Sequence, residues 1–241
     1  FALGVLINLG PRIGKFNADG TANHLAGHNM PFTATGLMLI VVGFWGFLMA
    51  CLVVGGEAWS WGSNFSTIYG TPTNLGALSF NILMGVAGGI IGAWALTRDP
   101  FWMMSGALAG LISVASGLDV YWPSLTFLIA ISAGVLLKPA ANMLESMGID
   151  DAVGAVTVHG TMGIYGMLLL GIFGSGYPAA LGPDPMTVSF MGQLVGAIVF
   201  IAIGFSTGFV ASLVLKRVGR LRVPESAEIA GLDTVKVPAQ A

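Results

Sequence analysis

Residues 152 to 173 read AVGAVTVHGTMGIYGMLLLGIF, a run without Asp, Glu, Lys or Arg. An α-helix rises about 1.5 Å per residue, so a run of this length reaches across the roughly 30 Å hydrocarbon core of a bilayer. Within it stands one imidazole, His159. A polar ring at that depth needs a hydrogen-bonding partner or a water-lined cavity, because an unpaired polar group in hydrocarbon costs on the order of several kcal/mol. His159 is therefore the first candidate functional residue. The plainer alternative is a buried histidine bonded to a helix carbonyl.

The rest of the chain is written in the same style. It is 55% hydrophobic and 8% charged, with a mean hydropathy of +0.86, whereas a soluble domain is roughly one-quarter charged. Uncharged runs extend over 29–56, 58–97, 100–118, 120–137, 152–183 and 185–215. Allowing for polar ends, they predict helices at 31–53, 75–96, 101–118, 123–143, 152–174 and 187–215. A transmembrane barrel would show segments of about ten residues alternating polar and apolar, and these runs do not alternate. The expected fold class is an all-α polytopic membrane protein.

Several function classes drop out. A net charge of −2 lacks the basic footprint that phosphate contacts require, so no nucleic-acid partner is expected. No nucleophile, paired carboxylate or metal-ligand cluster accompanies His159, and His24 and His28 lie four apart in a loop without a third ligand. The reading is not an enzyme and includes no metal or cofactor. The single cysteine, Cys51, sits in an apolar stretch and reads as a small core residue.

With six alternating spans, all nine Lys and Arg fall on one side of the membrane, and the connections near 54–74, 119–122 and 175–186 carry only Glu57, Asp119 and Asp184. By the positive-inside rule both ends of the chain are cytoplasmic. Trp94, Trp102, Tyr121 and Trp122 lie near span ends, where amphipathic rings favour the interface. The expected organisation is the end of a truncated helix over 1–10, a cytosolic connection over 11–30, a six-helix transmembrane domain over 31–216 and a cytosolic tail over 217–241. Gly85/Gly89, Gly88/Gly92, Gly106/Gly110, Gly192/Gly196 and Gly204/Gly208 repeat at a spacing of four, which puts small residues on one helix face and lets backbones approach.

Three stretches carry a resemblance. DDAVGAVTVHGTMGIYGMLLLGIF (150–173) resembles the tenth transmembrane segment of the ammonium transporter family (Amt/Mep/Rh), with its Asp-Asp, Val-His-Gly and Gly-Ile. GRLRVPESAEIAGLD (219–233) is similar to that family's cytosolic tail, and GHNMPFTATGLMLIVVGFWGF (27–47) to its sixth segment. The resemblance implies the second inverted repeat plus the final long helix of an Amt-like fold, whose complete form has eleven helices. The first repeat, with the first of two pore histidines, would then lie before Phe1 or come from another membrane subunit, and the chain alone would not form a conducting pore.

What the resemblance implies for function is ammonium or ammonia transport through a narrow apolar pore. His159 takes the place of the second pore histidine and Phe47 that of a gate phenylalanine, with Phe44 and Trp45 in the family's aromatic stretch. A neutral imidazole both donates and accepts, and an aromatic face attracts a cation by roughly 0.5–2 kcal/mol. Phe47 reads equally well as plain core. Asp150 and Asp151 match the acidic pair but read most simply as caps at a helix N-terminus. The chain departs from the family in the order Phe44-Trp45, in Leu48-Met49-Ala50-Cys51, and in Gly154, where the family has an acidic residue. The resemblance also implies a homotrimer in the cell inner (plasma) membrane, with a P-II-type regulator at the cytosolic face. The alternative is a non-conducting Amt-like structural or sensory subunit of a larger membrane assembly.

Overall fold

The computed structural model describes residues 1–27, 29–174 and 188–232. The chain is an all-α polytopic membrane protein: six of its helical spans are long and apolar enough to cross a bilayer. In chain order the elements are α1 (Ala2–Leu9), α2 (Met30–Ala50), strands β1 (Phe65–Ser66) and β2 (Pro72–Thr73), α3 (Leu75–Thr97), α4 (Pro100–Val114) with a 3-10 turn over Ala115–Gly117, α5 (Pro123–Ser146), a π-helical turn (Ala155–Thr161) running into α6 (Met162–Phe173), α7 (Phe190–Arg217) and α8 (Glu225–Ala230). The expected connection 175–186 lies outside the described residues.

Local chemistry sets the helix starts. Asn29 accepts from the Phe32 amide at 3.0 Å to open α2, Asn74 accepts from Ala77 at 2.7 Å to open α3, and Asp99 accepts from Phe101 at 2.8 Å to open α4. Each occupies amide groups that a helix N-terminus leaves without an internal partner. Pro31 and Pro100 stand in the first turns, where the missing N–H is not needed.

The chain divides into two compact units. The larger, 27–140 with 157–197, is built around α3. One face of α3 lies on α4: a Cβ added at Gly89 would come 2.8 Å from the Gly110 Cα, well inside the roughly 3.5–4.0 Å at which carbons pack. Gly88, one residue round the helix, meets α5 instead, its added Cβ falling 2.6 Å from the Phe127 carbonyl. These glycines are fixed by backbone contact. Gly192 and Gly196 meet side chains instead, an added Cβ falling 2.9 Å from the Ser189 hydroxyl and 3.5 Å from the Met167 methyl respectively. The apolar core of this unit joins Leu48, Leu78, Ile82, Leu111 and Val114. Only Leu48 of α2 is buried.

The other unit comprises 1–26, 141–156 and 198–241. Gly4 brings α1 against the α7 backbone at Phe209, and Asn8 donates to the Phe209 carbonyl at 2.9 Å and the Ser212 hydroxyl at 2.8 Å. Lys15 pairs with Glu145. Glu228 of α8 accepts the Ile13 amide at 2.8 Å and pairs with Arg222, and these contacts outweigh burial to hold its carboxyl below the usual range.

Two expectations need correction. Cys51 is exposed, because α2 ends at Ala50 and the chain turns there, so it is not a core residue. Tyr121 is fully buried, packed beside Gly117 in the turn before α5, and is not an interfacial aromatic. Within the 54–74 connection β1 pairs antiparallel with β2.

Candidate functional site

His159 lies on the π-helical turn Ala155–Thr161, a geometry that recurs at functional sites because it re-aims side chains within a helix. Its neighbours Thr157, Val158 and Met162 are fully or almost fully buried. Val158 and Met162 pack with Ala109 of α4 and with Ala133 and Leu137 of α5. The turn is thus anchored by one face, while His159 on another face is left uncovered by the chain.

The aromatic candidates share α2. Trp45 donates its Nε1–H to the Ser79 hydroxyl of α3 at 3.0 Å, and with Phe44 and Met49 it packs on the apolar core. Phe47 meets the Phe44 ring edge to face, with centroids 6.0 Å apart and planes at 86°, and is itself 59% exposed. Phe44 and Trp45 therefore fix the helix against its neighbours and Phe47 offers a free ring face. An imidazole that can donate and accept and a ring face that attracts cations are groups suited to a small nitrogenous cation or its neutral base.

Asp150 and Asp151 part company in the smaller unit. Asp151 accepts from the Val156 amide at 3.1 and 3.2 Å, closing the loop that leads into the π turn. Within that loop Gly154 has φ +74, a left-handed conformation that glycine adopts without strain. Asp150 instead forms a two-pronged pair with the Arg12 guanidinium, both bonds at 2.8 Å, and accepts the Arg12 amide at 2.9 Å. Burial raises its carboxyl pKa, but the Arg12 bonds and charge prevail and hold it below the usual carboxylate range. Asp150 thus ties the 11–26 connection to the end of α5, a partner 138 residues away, in place of the helix end.

The sequence reading passed over other polar residues in the spans. Asn81, fully buried in α3, donates to the Leu118 and Tyr121 carbonyls, both at 2.8 Å. Ser132 of α5 and Tyr165 of α6 share a 2.7 Å hydrogen bond. Each is a polar residue inside an otherwise apolar run, which is the signal that marked His159.

Comparison with known proteins adds an independent observation. A family model described as Ammonium Transporter Family matches residues 1–241. The chain is 35% identical to ammonium transporter Amt2 of Methanocaldococcus jannaschii over 99% of its own length and 53% of that protein. It is 31% identical to ammonium transporter Amt2 of Archaeoglobus fulgidus over 96% of its length and 50% of the relative's. The chain spans about half the length of the curated relatives it matches. Among solved structures it is similar to one titled Sensor Amt Protein, at TM-score 0.78 and 26% identity over 97% of this chain and 55% of that one. Candida albicans Mep2, at TM-score 0.72 and 18% identity over 93% of this chain and 50% of that one, shares the fold.

Proposed function

Because the chain belongs to the ammonium transporter family, we propose that it lines one side of a path for ammonium or ammonia across a membrane. His159 is the polar group of that path and Phe47 part of an aromatic gate, with Phe44 and Trp45 holding the gate helix in place. The observation that carries this reading is His159 itself, uncovered on the π turn of an apolar span whose flanking residues are buried. A second set of helices, from the same polypeptide or another subunit, supplies the facing wall. That inference is supported by the coverage of about half of each relative and by the sparse burial of α2 and α7, which leaves apolar faces open. In this reading the protein is a homotrimer of the plasma membrane with its C-terminus in the cytoplasm, where a P-II-type regulator can reach the tail.

One observation favours a second reading, in which the scaffold senses ammonium without conducting it. The likeness to the Sensor Amt Protein structure is the support, together with Gly154 and Cys51 at positions where the family resemblance implies an acidic and a small polar residue.

Proteoliposomes that hold this chain together with the set of helices that supplies the facing wall separate the two. For a conducting protein, an inward ammonium gradient changes internal pH faster than in empty liposomes. His159→Ala, with unchanged elution and helicity, is expected to reduce the rate at least tenfold or to abolish selectivity for ammonium over potassium. Wild-type flux equal to empty vesicles, with saturable ammonium binding, would overturn the conducting reading in favour of the sensory one.

A further inference from the structure

Beneath the β1–β2 hairpin lies an open cavity of about 220 Å³, lined by the end of α2, the hairpin turn, the start of α3, the 3-10 turn after α4 and the end of α6. Its lining includes the aliphatic Leu48, Leu78 and Leu170 and the polar Tyr69, Ser116 and Asp119. Asp119 forms no ion pair among the described residues. The segments 54–74 and 119–122 contain no Lys or Arg that could supply one. Burial pushes its carboxyl up, outweighing a hydrogen bond from its own backbone that acts the other way.

The chemistry of such a space is selective. An anion would meet the carboxylate and no cationic group, so anionic ligands are disfavoured. A cation gains from Asp119 in a setting less screened than bulk water, and the Tyr69 ring adds a further attraction. Size sets the next limit: a water molecule's share of liquid volume is about 30 Å³, so a bare ammonium ion, which is of similar size, leaves most of the cavity unfilled. The aliphatic lining is dewetted by an alkyl chain and gains nothing from water.

We propose that this cavity binds a small alkylammonium cation, its ammonium group on the Asp119 carboxylate and its alkyl chain against Leu48, Leu78 and Leu170. The site stands apart from the pore reading: it uses neither His159 nor the Phe47 ring, and it holds whether or not the protein conducts. Its selectivity runs with alkyl length, since each methylene buried adds attraction until the cavity is filled.

Calorimetric titration of the purified protein in detergent tests this with n-butylammonium as the probe. The expected result is saturable one-to-one binding, at least tenfold weaker for methylammonium, which is shorter by three methylenes, and for n-butanol, which lacks the charge. Asp119→Asn is expected to weaken butylammonium at least tenfold, while Glu57→Gln, a carboxylate change in the 54–74 connection, and His159→Ala leave it within twofold. Should Asp119→Asn fail to elute like the wild type, Ser116→Lys at the exposed rim, which places a competing ammonium in the cavity, is expected to abolish binding. Absence of saturable butylammonium binding by the folded protein overturns the proposal. So does equal binding by Asp119→Asn or by Ser116→Lys. Loss of binding in His159→Ala alone would put the cation in the pore and overturn it as well.

Discussion

Replacing Asn81 should separate a structural clamp from a merely tolerated polar residue. Its amide donates to the Leu118 and Tyr121 carbonyls, both at 2.8 Å, and so joins the N-terminal part of α3 to the turn that precedes α5. Asn81→Ala leaves both carbonyls without that donor in a fully buried place. A buried polar group left unsatisfied costs about 1–3 kcal/mol in soluble proteins. Hydrogen bonds between membrane helices average about 0.6 kcal/mol and reach about 1.7. For the two bonds together the expected loss is about 1–3 kcal/mol, a factor of roughly 5 to 150 in the unfolding equilibrium. Asn81→Asp should be worse near neutral pH, because an ionised carboxylate then faces two carbonyl oxygens, and should recover part of the loss near pH 5, where protonation restores one donor. Reversible unfolding in mixed micelles, followed by circular dichroism at both pH values, measures this. An Asn81→Ala variant within about 0.5 kcal/mol of the wild type would refute the clamp, as would an Asn81→Asp variant that behaves identically at the two pH values.

Three further outcomes follow from the packing and the charge distribution. Gly89→Ala forces a methyl to within 2.8 Å of the Gly110 Cα and is expected to destabilise by about 1–3 kcal/mol or more in the same assay, whereas Gly196→Ala, whose added methyl meets only the Met167 methyl at 3.5 Å, stays within about 0.5 kcal/mol. The Asp150 carboxyl titrates below its ordinary value in the folded state, so its contribution is fully present above the unfolded value near 4 and is lost as pH falls through the lower, folded one. Hydrogen exchange at the Arg12 amide should therefore be slow and, after correction for intrinsic rates, unchanged from pH 5 to 8, and Asp150→Asn should speed it more than Asp151→Asn. For topology, an impermeant thiol reagent on intact cells, in a Cys51→Ser background, is expected to label Ser63→Cys and spare Ser226→Cys; the reverse pattern overturns the orientation drawn from the one-sided Lys and Arg.

The sequence by itself determined the number and nearly the ends of the spans. In hydrocarbon every backbone amide must be satisfied within its own segment, so an uncharged run of sufficient length has one solution, and caps such as Asn74 and Asp99 mark where it begins. It also marked His159 and five glycine pairs at a spacing of four, since a polar ring or a small-residue stripe in such a run is visible without knowing any neighbour. Tertiary structure alone decided the rest. Nothing local distinguishes Asp150 from Asp151, yet one reaches an arginine 138 residues away and the other an amide five residues on. The glycine pairs look alike in the chain, but the pair at 85 and 89 meets backbone while the pair at 192 and 196 does not. The cavity beside Asp119 exists because five separate segments converge there, and Cys51 lines it although its apolar neighbours suggested a core position. Periodicity and composition report how each segment meets its solvent. Which segments meet each other depends on shape and on long-range pairing, which no local pattern encodes.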